Sequence, residues 1–147
     1  MSDASRSFAE LLERMTSAIC AGDALVAAEC FTPDGVYHDG FYGEFAGREA
    51  IAGMVTGLFH RDAKDFKWHV SDACSDGRIG YARYRFAYVS KIAGSEGRRV
   101  GFDGISCCML EGGRIRRYSE LFERAPVLLQ LGFGDQRILK SIKRWLK

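Results

Sequence analysis

The order in which two hydrophobic periods appear along the chain predicts an α+β fold. From about Ser5 to Phe59 apolar residues recur every three or four positions; from about Phe66 to Glu123 they recur every second position. Turn signals at Ser75-Asp76-Gly77, Ala93-Gly94-Ser95-Glu96-Gly97 and Glu111-Gly112-Gly113 cut the second part into consecutive strands, which reads as an antiparallel meander. Helices that precede such a sheet pack on one of its faces.

Phe8, Leu11, Leu12, Met15, Ala18 and Ile19 form one stripe on a helix from Ser5 to Ala21. Gly22 ends it, and Asp23 is a candidate cap for a short second helix with Leu25, Val26 and Cys30 facing inward. Thr32-Pro33-Asp34-Gly35 is turn chemistry, Val36 to Asp39 a short aromatic strand, and Gly40 to Gly43 a bend. A third helix runs from about Arg48 to Phe59, with Ile51, Met54, Val55, Leu58 and Phe59 on one side. Strands are predicted at about Phe66–Cys74, Ile79–Lys91, Arg99–Leu110 and Arg114–Glu123. On the second of these, Ala82, Tyr84, Phe86 and Tyr88 share the face that looks toward the helices, and Arg83 and Arg85 the other. On the last, Arg116, Tyr118, Glu120 and Phe122 oppose Ile115, Arg117, Ser119 and Leu121, and alternation alone does not decide which set is buried. The third is apolar on both faces, which implies a second covering layer and, in a chain this short, a homodimer through the sheet.

The tail opens with Pro126, breaks at Gly132-Phe133-Gly134 and resumes at Asp135. Ile138, Leu139, Ile142, Trp145 and Leu146 then form a stripe flanked by Arg137, Lys140, Lys143, Arg144 and Lys147. Such a helix either lies on a membrane surface or docks on the domain or its partner subunit. We therefore read residues 1–125 as one domain and 126–147 as a C-terminal extension.

Composition bounds the function. The 147 residues are 47% hydrophobic and 27% charged, and the net charge of +2 gives no concentrated attraction for polyanions, so no nucleic-acid partner is expected. No apolar run approaches the roughly 18 residues of a membrane span, and the N-terminus lacks the layout of a secretory signal. Five cysteines, an odd count without a C-x-x-C pair, read as reduced thiols in a cytoplasmic protein. No His-x-Glu or paired-His spacing supports a metal site, and no cofactor motif is present.

Four pieces of sequence carry a resemblance: Ala21-Gly22-Asp23, Phe31-Thr32-Pro33-Asp34-Gly35-Val36, Gly47-Arg48-Glu49-Ala50-Ile51, and Gly113-Arg114-Ile115 with Tyr118-Ser119-Glu120-Leu121-Phe122. Over about residues 5 to 125 the chain resembles the SnoaL-like branch of the nuclear-transport-factor-2-like superfamily, which includes ketosteroid isomerases, polyketide cyclases and limonene-epoxide hydrolases. The resemblance implies a cone-shaped, curved mixed sheet packed against three N-terminal helices, with chemistry in the cavity between them. It also implies that Asp39 stands where ketosteroid isomerases keep their general base, while Met15 stands where they have an oxyanion-binding tyrosine. Their protonated strand acid falls near Ile105, two residues from Asp103. Glu120 takes the last-strand place of the epoxide hydrolases, whose Arg-x-Asp positions are Tyr84 and Phe86 here. Dehydratases of this fold use pocket histidines and tyrosines, for which His69, Tyr37, Tyr84 and Tyr118 are the candidates.

Two readings stand for Asp39: a base whose pKa rises in an apolar pocket, or an acid that satisfies backbone N–H groups of the following bend. Neighbouring His38 points to the other face of an extended strand. Asp103, between Phe102 and Gly104, is an acid in an apolar strand and needs a partner, a pocket wall or an interface. The expected catalytic set is Asp39, Glu120, Asp103 and His69. Tyr37, Trp68, Tyr84, Phe86, Tyr118 and Met15 are the expected ligand contacts. The expected activity is cofactor-independent acid–base chemistry on a hydrophobic small molecule, with a non-catalytic binding protein or a protein-interaction module as alternatives.

Overall fold

The computed structural model describes residues 1–146; Lys147, expected in the basic flank of the last helix, lies outside them. Helix α1 spans Asp3–Ala21, two residues longer than the periodicity predicts, because the Ser2 hydroxyl accepts the Ser5 N–H at 3.1 Å and caps it. It ends at Gly22, whose φ of 77° closes the helix in the left-handed conformation. The Asp23 carboxylate accepts the Val26 N–H and starts α2 (Ala24–Glu29).

Strand β1 (Phe31–Asp39) is longer than expected, and Thr32–Gly35 is no chain reversal. Pro33 has no N–H to donate, and the parallel ladder to the last strand shifts register between Phe31 and Val36, so turn-forming residues make a bulge in an extended strand. The Gly40–Gly43 bend closes a hairpin onto a strand the periodicity does not predict, β2 (Gly43–Ala46), antiparallel to β1. Arg48 opens α3 (Arg48–Met54) and donates from Nε and Nη2 to the Phe31 carbonyl, tying helix to strand. The third helix then widens into a π-helical turn, Val55–Phe59, before the single turn α4 (His60–Asp62). A π turn rotates all later residues about the axis, and here Phe59 and Asp62 come to face the sheet's cavity.

The meander follows as β3 (Ala63–Ser75), β4 (Ile79–Ser90), β5 (Arg99–Glu111) and β6 (Arg114–Leu121). Six strands form one mixed sheet in the order β2-β1-β6-β5-β4-β3, with only β1 and β6 parallel. Two irregularities in β3 sit where Asp65 and Asp72 adopt φ of 52° and 53°. Aspartate tolerates this region better than most side chains, and such bulges curl the strand around the helices. The core between sheet and helices is built from Phe8, Leu12, Met15 and Ile19 of α1, Ile51 and Met54 of α3, and Tyr37, Tyr84 and Tyr118 of the sheet.

The chain closes with α5 (Arg124–Gln130), a helix not assigned from the sequence, and α6 (Asp135–Trp145). Proline is accommodated in a helix's first turn, where the N–H would have no partner. Val127, Leu128 and Leu131 pack on Val100 of β5, and the Gln130 side chain exchanges hydrogen bonds of 2.8 and 2.9 Å with the Gly101 backbone. Helix α6 docks Ile138 and Trp145 on the same cluster. No helix among the described residues is long and apolar enough to cross a membrane.

Candidate functional site

The parity of each strand sorts the acids of the sheet. Ladder partners share a face, and Ser106 opposite Glu120 and Cys108 opposite Tyr118 put Glu120 and Tyr118 on the helix side. A register shift between Met109 and Leu110 lets Ile115 turn inward as well, although strict alternation sets it against Tyr118. On β4, Tyr84 and Phe86 face inward and Arg83 and Arg85 outward, as the alternation predicts.

The inward side chains enclose a cavity of about 70 Å³. Ten of its fifteen lining residues are aromatic, and the polar lining groups are the carboxyls of Asp39, Asp62 and Glu120 with the hydroxyls of Tyr42, Tyr84 and Tyr88 and the Trp68 indole. Their rings lie at varied tilts. Trp68 meets Phe86 edge-on at 5.0 Å and Phe102 stacks on Phe122 at 4.2 Å.

Asp39 ends β1 with 7% of its surface exposed. Its Oδ1 accepts the N–H groups of Phe41 and Tyr42 at 2.8 and 3.0 Å. One oxygen thus satisfies the N–H groups of the hairpin bend, while the side chain lines the cavity. Burial raises its pKa, and the two backbone N–H groups and His38 pull it back by favouring the carboxylate. Glu120 projects from β6, with the Tyr84 hydroxyl donating to Oε2 at 3.4 Å. Burial and then the negative charge of Asp39 push its pKa well above 4.5. Two carboxyls in one apolar cavity do not both ionise readily. The backbone donors favour the carboxylate of Asp39, whereas burial and the charge of Asp39 favour the neutral form of Glu120.

Gly104 makes this arrangement possible. It pairs with Tyr84 across the β4–β5 ladder, and a Cβ there would collide with the Tyr84 hydroxyl end. Without one, the Tyr84 ring lies across β5 and points toward Glu120. At the rim, the Tyr42 hydroxyl of the β1–β2 hairpin donates to Asp62, which Arg61 holds by two further bonds at 2.7 and 2.8 Å. Arg61 lowers the pKa of Asp62, keeping it a carboxylate.

The expected site residues divide into three groups. Asp39, Glu120, Trp68, Tyr84 and Phe86 line the cavity. Tyr37, Tyr118 and Met15 do not line it but form the packed layer behind: Tyr37 stacks on Tyr118 at 4.7 Å, and the Tyr118 hydroxyl pairs with Ser106 at 3.0 Å. Asp103 and His69 are exposed on the outer face, where Asp103 pairs with Arg85 at 3.0 Å. The expectation that Asp103 shares the cavity is thus corrected by strand parity: its neighbour Phe102 takes the inward position. His38 also points away from Asp39, toward Glu44 and Arg117.

Sequence reasoning did not assign Phe66, Tyr88, Phe102 and Phe122 to the site, although the two-residue period that placed Trp68, Tyr84 and Phe86 was a signal for each. Asp62 and Tyr42 had no such signal, because a π turn and a hairpin place them. No cluster of His, Cys, Asp and Glu suited to holding a metal ion occurs among the described residues.

The comparisons agree with this architecture. A model of the SnoaL-like domain matches residues 12–118. No curated protein matches the sequence. Among solved structures, a protein with a ketosteroid isomerase-like fold from Catenulispora acidiphila, in complex with trimethylamine, superposes with a TM-score of 0.74 at 18% identity, over 85% of this chain and 94% of that one. A protein assigned as a SnoaL-like polyketide cyclase from Jannaschia sp. CCS1 gives 0.75 at 14% identity, over 91% and 97%. An epoxide hydrolase from M. tuberculosis, similar to limonene-epoxide hydrolase, gives 0.67 at 18% identity, over 96% and 95%. At these identities the structures share the fold, and the same cone supports many chemistries. The match over most of its length shows that the chain belongs to the SnoaL-like domain family.

Proposed function

We propose that this protein is a cofactor-independent acid–base enzyme, of isomerase, cyclase, dehydratase or hydrolase type, acting on a compact hydrophobic molecule or on the reactive end of a larger one. The observation that carries the reading is the pairing of Asp39 and Glu120 in one aromatic cavity, where burial raises the pKa of both and that of Glu120 further. The carboxylate of Asp39 takes a proton from a carbon next to a carbonyl. The carbonyl oxygen, as it gains charge, receives a hydrogen bond from the neutral Glu120 carboxyl. Asp39 then returns the proton at a second position, or a leaving group departs, so no redox partner enters. Tyr84 supports Glu120 through its hydroxyl, and Trp68 and Phe86 supply apolar contact.

The cavity's size limits the ligand. About 70 Å³ is several times the roughly 10–15 Å³ that one water molecule needs, which suits a compact group better than a polycycle. The assembly belongs to the same proposal: Tyr81, Ile105, Met109 and Leu121 expose apolar surface on the sheet's outer face, which suits a homodimer. The odd cysteine count fits a reducing, cytoplasmic setting.

Incubation with small ketones in heavy water, followed by NMR, tests the reading. The wild type speeds exchange of the protons next to the carbonyl, and Asp39→Asn slows that rate by about 10²–10⁴ while ligand still binds. Binding without any exchange across the panel establishes instead a binding protein with the same cavity.

A further inference from the structure

The charge balance of the cavity is one-sided. Its lining carries three acidic side chains and no lysine, arginine or histidine. Asp62 is matched by Arg61 at the rim. Asp39 and Glu120 are not: Asp39 accepts two backbone N–H groups, the hydroxyls of Tyr84 and Tyr118 serve Glu120, and among the described residues neither carboxyl forms an ion pair with lysine or arginine. A cavity built for a carboxylate, phosphate or enolate alone would be expected to present a cation or an N–H cluster to the ligand. Here the available backbone N–H groups are already taken by Asp39.

The remaining wall is aromatic. A ring's face carries the negative end of its quadrupole and attracts a cation within about 6 Å of the centroid. Phe59 and Trp68 lie nearly parallel at 6.4 Å, Phe86 meets both edge-on at 6.2 and 5.0 Å, and Phe102, next to Phe86, stacks on Phe122. Aromatic walls, two carboxyls without a cationic partner and a small volume together describe a site for a positive charge dressed in methyl or methylene groups. A bare metal ion would gain little from such walls, and a neutral hydrocarbon would leave the buried negative charge without a cation.

We infer that the cavity recognises a compact alkylammonium group, with the aromatic walls contacting its carbon substituents and the Asp39–Glu120 pair supplying the counter-charge. The inference rests on the reading of this cavity as the ligand site and names the class of ligand that enters it.

Tetramethylammonium chloride and tert-butanol, similar in size and differing in charge, separate the possibilities. Each is titrated into the full chain at constant ionic strength, with the backbone amides and the Trp68 indole N–H followed by NMR. The ammonium ion is expected to shift Trp68 and the amides around Phe41 and Tyr42 saturably, with an affinity at least about tenfold above that of the alcohol. Asp39→Asn, which removes the negative charge of the pair, takes away most of that preference, whereas Glu120→Gln, neutral for neutral, keeps it; retained saturable binding of the alcohol shows that the variants are folded. Equal or tighter binding of tert-butanol overturns the ammonium inference and leaves the cavity as the ligand site. Absence of saturable shifts with either probe, or ammonium shifts confined to the outer face around Asp103, overturns both.

Discussion

Asp103 and Glu120 are acids on adjacent, paired strands, and they live in opposite worlds. Asp103 stands on the outer face with 77% of its side chain exposed and a guanidinium 3.0 Å away. Glu120 stands on the inner face among aromatic rings, with a tyrosine hydroxyl for a partner and a second acid in the same cavity. Solvent and Arg85 surround the first, whereas burial makes ionisation costly for the second. The difference is one of strand parity, a single step in register, and it separates an ordinary surface pair from a candidate acid catalyst.

The largest effect is expected on the inner face. Tyr118→Ala removes a fully buried ring stacked on Tyr37 and should cost about 3–5 kcal/mol in chemical denaturation. Leu121→Ala, on the neighbouring outer position with 75% exposure, should change monomer stability by less than about 0.5 kcal/mol. A comparable cost at both positions would dissolve the distinction between the faces.

Gly104→Ala comes next, at about 1–3 kcal/mol, because the new methyl group drives Tyr84 from its place across β5. The same substitution at Gly112, a turn residue with nothing near its Cβ position but a φ of 57°, strains only the turn. Loss of probe binding in the first variant and not in the second would tie the effect to Tyr84 rather than to backbone strain.

Stability should also depend on pH through Glu120. Its pKa is raised in the folded state, so its contribution is fully present below the unfolded value near 4.5 and is lost as pH rises through the folded value. Glu120→Gln, which stays neutral, should therefore gain stability over the wild type with increasing pH, by thermal melts across that window. A constant difference between the two proteins at all pH values would show that Glu120 ionises as freely when folded as when unfolded. The smallest effect belongs to Asp103→Asn, where an exposed ion pair contributes less than about 1 kcal/mol.

The sequence was most informative where a period ran long. The change from helical to alternating spacing places the helices before the meander, and the Tyr84-Phe86-Tyr88 alternation correctly aims β4 into the cavity. Short-range irregularities were not legible. A bulge keeps Thr32–Gly35 extended although its residues favour a turn, and another lets Ile115 and Tyr118 both face inward. The π turn that brings Phe59 and Asp62 to the cavity leaves no clear trace in composition. Asp103 shows the limit most plainly. Its apolar neighbours suggest burial, but only the register with Arg85 reveals a partner on the outer face.

The central claim is that Asp39 and Glu120 form one coupled acid pair, and carbon-13 NMR titration of the side-chain carboxyls measures it directly. The account predicts that Glu120 in the wild type titrates well above the usual 4.5, and that Asp39→Asn moves its midpoint downward by removing the neighbouring charge. A Glu120 midpoint near 4.5, unmoved by Asp39→Asn, would contradict it.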